Sequence, residues 1–286
     1  MILRVDGIDF FIRINEAELN STKIPILFLH GFSGCSDDWD FLIQEIPPNY
    51  LPVAIDLIGH GQTGSPEDSN FYTACAIVNQ INNITEQLNF QKFIICGYSL
   101  GGRAAISYMC KFPSKIIASI LESTTAGIES MEEKKERVEL DYLLSDKIKS
   151  DGINSFIDFW FQTPLFHGLK NFSEFNQIKN KRQQNSVIGL SNMIAGFSTG
   201  LMQSCWDKLG IIHSPVLLVS GENDPKYCGI NKNLAVKLKN SQHKIIKDAG
   251  HNVHLEMPDV FTKLVLDFLN NLEINNELQL ENNKKV

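Results

Sequence analysis

The residues best placed to do chemistry lie in Gly97-Tyr98-Ser99-Leu100-Gly101. The apolar run Lys92-Phe93-Ile94-Ile95-Cys96 leads into it, and Gly102-Arg103-Ala104-Ala105-Ile106 leaves it with helical spacing. A strand that turns sharply into a helix strains its middle residue and demands small neighbours. This G-x-S-x-G setting therefore offers Ser99 at the C-terminal edge of a sheet. A serine hydroxyl needs a base, and the base needs a group to orient it. Both follow downstream: Asp224 in Gly221-Glu222-Asn223-Asp224, and His251 in Ala249-Gly250-His251-Asn252. Glu222 is the rival acid but lies nearer the strand end, and His254 is expected behind the site rather than in it. The loop Leu29-His30-Gly31-Phe32-Ser33-Gly34 follows an apolar run at 26–29. Backbone N–H groups of Phe32 and Leu100 are expected to form an oxyanion hole, each typically worth about 3 kcal/mol in the transition state. The glycines of Asp56-Leu57-Ile58-Gly59-His60-Gly61 allow a tight loop beside it, with His30 and His60 in structural roles.

These loops need a scaffold. The start alternates, Leu3 to Val5 and Ile8 to Ile14 about Asp6-Gly7, which predicts a hairpin. Continuous apolar runs at 26–29, 53–55, 93–96, 116–121 and 216–219 suit strands buried on both faces. Helical spacing separates them at 72–88, 101–111, 231–238 and 259–272. The alternation predicts an α/β fold with a mostly parallel, doubly wound sheet. Residues 125–208 hold helical patterns and no convincing strand, which predicts an inserted helical lid over the crevice. The core is expected at 1–124 and 209–274, and the Asn-, Glu- and Lys-rich 275–286 is expected to fray.

The chain has 286 residues, 43% hydrophobic and 21% charged, which fits a globular domain and not wholesale disorder. Its formal net charge of -7 argues against a general nucleic-acid or anionic-lipid binder. No apolar run approaches the roughly 20 residues that span a bilayer, and charges near Met1 do not fit a secretory signal. A cytoplasmic or stromal protein is expected. The six cysteines include no C-x-x-C pair and read as reduced. No H-E-x-x-H or P-loop pattern occurs, and neither a metal nor a nucleotide cofactor is expected.

Together, His30-Gly31-Phe32, Asp56 to Gly61, Gly97 to Arg103 and Ala249 to Asn252 resemble the α/β-hydrolase superfamily. Within it the chain resembles the MenH family, the 2-succinyl-6-hydroxy-2,4-cyclohexadiene-1-carboxylate synthases of menaquinone and phylloquinone biosynthesis. The narrower likeness rests on Arg103 after Ser-Leu-Gly-Gly, on Leu121 to Ile128 leading into Glu132 to Arg137, and on Phe159 to Phe166. Lys181-Arg182-Gln183-Gln184-Asn185 and Gly250 to Glu256 complete it. The resemblance covers about 24–272. It implies a carbon–oxygen lyase that eliminates pyruvate from 2-succinyl-5-enolpyruvyl-6-hydroxy-3-cyclohexene-1-carboxylate, with Ser99, Asp224 and His251 as catalytic residues.

A small substrate carrying several carboxylates calls for cations, and arginine grips a carboxylate with a planar fork. Arg103, Lys134, Arg137 and Arg182 are the expected holders, with Tyr98 and Trp160 shaping the pocket. The chain departs from the family pattern at Lys134, where an arginine is usual. Lysine keeps the charge but loses the fork, which leaves two candidates for the lid-side carboxylate, Lys134 or Arg137. Two other readings share these residues: a serine hydrolase of esters or carbon–carbon bonds, and a non-catalytic small-molecule receptor. Oligomeric state has no signature in the sequence.

Overall fold

The computed structural model describes the backbone of residues 1–283 and the side chains of 1–272. Eight strands form one sheet in the order β1-β2-β4-β3-β5-β6-β7-β8. β1 (Ile2–Val5) and β2 (Ile8–Arg13) make the expected hairpin, with Asp6 and Gly7 both at positive φ (51° and 82°). β2 also pairs antiparallel with β4 (Tyr50–Ile55). From there β3 (Ile24–Leu29), β5 (Phe93–Tyr98), β6 (Ile116–Glu122), β7 (Val216–Gly221) and β8 (Ser241–Ile246) run parallel.

The unbroken apolar runs are explained by what covers each face. Along β3, Leu27 and Leu29 enter one core layer while Ile26 and Phe28 enter the other, as the two-residue period requires. The first layer is closed by α2 (Ala74–Gln87), α3 (Leu100–Lys111) and α7 (Pro225–Lys237), through Ile77, Ile81, Ala105, Tyr108 and Leu234. The second is closed by α1 (Asp40–Ile43) and α9 (Pro258–Asn283), through Leu42, Phe261, Val265 and Phe268. Because α9 runs to Asn283, only 284–286 of the segment expected to fray lie outside the described residues.

Between β6 and β7 the chain makes α4 (Met131–Trp160), α5 (Phe175–Arg182) and α6 (Val187–Gly196) and no strand. Ser130 caps α4 by accepting the Glu133 N–H. Gly152 breaks that helix at φ 76°, ψ 168°. Ile148, Phe156, Ile157, Phe161, Leu190 and Ile194 form an apolar cluster of their own, with Phe32 and Leu255 from outside the insertion packed into it. This is the segment expected to serve as a lid. The short α8 (Val253–Glu256) follows β8.

The two glycines flanking Ser99 are required by close approach. A Cβ on Gly97 would lie 2.6 Å from the Gly101 carbonyl oxygen, and one on Gly101 would lie 2.1 Å from that of Leu29. The start of α3 is thus pressed onto the end of β3, which brings Ser99 beside the Phe32 loop. Gly101→Ala forces backbone against backbone. It is expected to cost at least the 1–3 kcal/mol typical of overpacking, roughly, and to lower the thermal midpoint measured by circular dichroism.

Candidate active site

Three loops at the C-terminal edge of the sheet deliver Ser99, Asp224 and His251. Ser99 follows β5 with φ 49° and ψ −104°, a strained conformation for a residue with a side chain, held by its N–H donating to the Glu122 carbonyl at 2.9 Å. Its Oγ lies 3.1 Å from His251 Nε2, and His251 Nδ1 lies 2.6 Å from Asp224 Oδ2. A carboxylate only accepts, so Nδ1–H donates to Asp224 and a neutral ring leaves Nε2 free to accept from Ser99. The acid is held by its place in the chain. Asp224 caps α7, with Pro225 in the first turn, and its Oδ1 accepts the Tyr227 N–H at 3.2 Å. Glu222, the rival acid, is exposed and accepts the Asp248 N–H instead.

Further carboxylates fix the histidine loop from behind. Glu256 accepts the N–H groups of Gly250 (2.7 Å) and Asn252 (3.2 Å), one on each side of His251, and burial raises its pKa. Glu122 accepts the His254 N–H at 3.0 Å and pairs with His254 Nδ1 at 2.7 Å, both side chains almost wholly buried. Trp39 stacks on His254 at 4.5 Å. Since Glu122 also holds Ser99 through its carbonyl, one residue spaces the serine from the histidine loop. His254 thus stands behind the site, as its place beside His251 suggests, but nothing local in the sequence signals Glu122 as its partner, because the two lie 132 residues apart. Tyr227, whose ring lies 4.6 Å from that of His251, is equally silent.

A cavity of about 90 Å³ opens on Ser99 and His251. Phe32 and Leu100 line it, and neither N–H donates a hydrogen bond among the described residues. Leu100 begins α3, so the positive end of that helix also faces the cavity. Trp160, Arg103 and Arg137 line it too. Arg103 donates to the Phe197 carbonyl at 2.6 Å, and its guanidinium lies 4.8 Å over the Phe197 ring. It makes no ion pair among the described residues. Burial, and then Arg137, lower its pKa to about 10. Arg137 donates from Nε to Asp141 Oδ2 at 2.8 Å. Asp141 is 1% exposed, lines the cavity, and its Oδ1 has no partner among the described residues.

Three residues expected at this pocket are placed elsewhere. Arg182 is buried 2.7 Å from Asp38, in a separate small cavity behind the Phe32 loop. Burial opposes its charged form, but Asp38 outweighs this and raises its pKa. Beside it, Asn185 donates to the Ser33 carbonyl and accepts the Gly61 N–H. These bonds place α5 and the residues after it as a brace on the oxyanion loop. Lys134 is half-buried on α4 and does not line the cavity, whereas Arg137 and Asp141, on the same face but farther along the helix, do. Tyr98 lies under the loop, its ring between His251 and His254 at 5.4 and 4.8 Å and directly below Gly31.

His30 and His60 are structural, as expected. His30 Nε2 accepts the Leu57 N–H at 2.9 Å, with Nδ1 2.7 Å from the Gly31 carbonyl oxygen, so one neutral tautomer ties two loops together. Burial lowers the pKa of both rings, and for His60 the neighbouring His30 adds to it. As pH falls through the ordinary value of 6.5, the unfolded chain takes up protons that the folded one refuses. Stability is therefore full above about 6.5 and falls with acidification below it. Thermal midpoints across pH should show this decline, and His60→Gln should make it shallower.

The alpha/beta hydrolase fold family matches residues 24–258. MenH from S. aureus has a solved structure that superposes with a TM-score of 0.85 at 29% identity, over 92% of this chain and 98% of its own. A Bacillus subtilis protein named putative 2-succinyl-6-hydroxy-2,4-cyclohexadiene-1-carboxylate synthase is 37% identical over 249 residues, 86% of this chain and 90% of that one. The chain belongs to the MenH family of alpha/beta hydrolases. It is an enzyme of that family. The enol-lactonase of Burkholderia xenovorans LB400, with a TM-score of 0.81 at 19% identity, shares the fold. Among the described residues, no helix is long and apolar enough to cross a membrane.

Proposed function

We propose that this MenH-family chain eliminates pyruvate from 2-succinyl-5-enolpyruvyl-6-hydroxy-3-cyclohexene-1-carboxylate, giving 2-succinyl-6-hydroxy-2,4-cyclohexadiene-1-carboxylate, with Ser99 as the base. The observation that carries this reading is Arg103: a half-buried cation that makes no direct ion pair among the described residues, in the same cavity as the Ser99 hydroxyl. A desolvated, unpaired guanidinium is costly alone and well used when a carboxylate completes it. Simple esters carry no such group.

Substrate and product together define the bonds that change. The C2 proton is lost, the ring double bond moves, and the C5–O bond breaks. His251, oriented by Asp224, takes the Ser99 proton, and the Ser99 oxygen then removes the C2 proton. The C–H pair forms C2=C3, the C3=C4 pair forms C4=C5, and enolpyruvate departs. It takes its proton from His251 and ketonises to pyruvate. C2 adjoins the succinyl carbonyl, so negative charge develops on that oxygen, where the Phe32 and Leu100 N–H groups can hold it. Sites for ligands of this size usually span about 300–1,000 Å³, so α4 must move off the 90 Å³ cavity for the substrate to enter. Gly152 is the break in α4 at which it can bend.

The test offers the intermediate and p-nitrophenyl acetate side by side, reading pyruvate through coupled NADH oxidation. Pyruvate release with negligible ester cleavage is expected. Rapid ester cleavage without pyruvate would establish a hydrolase, and tight binding without either would establish a receptor.

A further inference from the structure

The proposed elimination leaves one charged group at the cavity without a task. Among the described residues, Asp141 is the only carboxylate that lines it. The side chain is 1% exposed, and Arg137 Nε donates to its Oδ2 at 2.8 Å. Its Oδ1 has no partner among the described residues, although Arg103, Thr199 and Tyr227 line the same cavity and carry donors. A desolvated, unpaired acceptor is destabilising, and in a folded chain it calls for a partner from outside. Trp160 Nε1 lines the same cavity and is unpartnered too, but it is a donor.

These two groups need opposite partners. The intermediate carries three carboxylates, a ketone and an enol ether oxygen, all of which only accept. They suit the Trp160 N–H and the arginines, and none of them suits Asp141. One group on the molecule donates, the hydroxyl on C6. We propose that Asp141 Oδ1 accepts this hydroxyl hydrogen, which makes Asp141 the residue that selects a hydroxyl-bearing substrate. The inference rests on the pyruvate elimination proposed for this site. Asp141 belongs to α4, so its oxygen meets the ring as that helix closes over the ligand, and the same motion strips it of water. A ligand without the hydroxyl then leaves a buried carboxylate oxygen unpaired. Sites built to pair with a substrate hydroxyl reject the analogue lacking it for this reason. C6 adjoins C5, where the bond to enolpyruvate breaks, so the contact fixes the ring at its leaving-group end while Ser99 acts at C2.

Pyruvate release is measured for the intermediate and for its 6-deoxy analogue, with the unaltered chain and with Asp141→Asn. Arg137 Nε holds the amide oxygen of the asparagine, which leaves an NH2 group where Oδ1 stood. The unaltered chain should favour the intermediate by about ten- to hundredfold in kcat/KM, the worth of one hydrogen bond to a charged group. Asp141→Asn should reduce that preference to about threefold or less, through loss on the intermediate and little change on the analogue. An equal loss on both substrates would overturn the proposal and leave Asp141 as a holder of Arg137. An undiminished preference in Asp141→Asn, or none in the unaltered chain, would overturn it as well. If circular dichroism shows that Asp141→Asn does not fold, a 6-fluoro analogue decides on the unaltered chain, since fluorine is close to hydroxyl in size and cannot donate. A loss as large as that of the deoxy analogue supports the proposal, and turnover near that of the intermediate overturns it. All these outcomes keep pyruvate release from the intermediate. Its absence in the unaltered chain would overturn the elimination itself, and this proposal with it.

Discussion

Ser99→Ala is expected to lower pyruvate release by about 10²–10⁴-fold, the range positioned proton transfer usually supplies, while the dissociation constant for the intermediate stays nearly unchanged. The serine oxygen lies 3.1 Å from His251 Nε2, and His251 is fixed in turn by the 2.6 Å bond to Asp224. Alanine removes the atom that takes the substrate proton but leaves Arg103, Arg137 and the two N–H groups that face the cavity. The loss should therefore fall on kcat. Stopped-flow turnover and calorimetric titration of the same variant separate the two quantities. Lost affinity with retained turnover would contradict the role given to Ser99. Asp224→Asn should also lower kcat, because an amide beside Nδ1 favours the wrong tautomer.

Arg103→Lys is expected to lower kcat/KM by about ten- to hundredfold, mostly through KM. Hydrogen bonds to charged groups contribute about 1.5–3 kcal/mol, and each 1.4 kcal/mol is about tenfold. Lysine keeps the charge but cannot hold the Phe197 carbonyl and a carboxylate with one planar fork. The pH profile offers a second check. Arg103 binds an anion only when protonated, and its pKa is lowered to about 10, first by burial and then by Arg137. KM of the unaltered enzyme should stay low below about pH 10 and rise as the charge is lost above it. Arg137→Met should weaken that rise, because one cation no longer opposes the other. An unchanged KM in Arg103→Lys would place the substrate carboxylate elsewhere.

Much of this site is legible in the chain because its parts are local. G-x-S-x-G between an apolar run and a helical one already defines the turn at Ser99. The two glycines are then required by contacts with Leu29 and with each other. Asp224 followed by Pro225 has the form of a helix cap, and it is this acid, not Glu222, that the cap points at His251. The cations are different. Arg103, one helical turn after Ser99, is placed by the same local geometry and reaches the cavity. Lys134, Arg137 and Arg182 depend on how the insertion packs. Arg182 meets Asp38, 144 residues away, and becomes a brace on the oxyanion loop.

By its order of strands and helices, its glycines and its Ser-Asp-His spacing, the amino-acid sequence alone determined an α/β sheet with three reactive loops at one edge. Backbone sterics and short-range capping are enough for that. Only the folded chain decided which charges are neutralised and which are left for a ligand. Asp38 claims Arg182, Asp141 pairs with Arg137, Glu122 claims His254, and Arg103 makes no direct ion pair among the described residues. Electrostatic pairing depends on distance through space and on burial, and neither is a function of position along the chain.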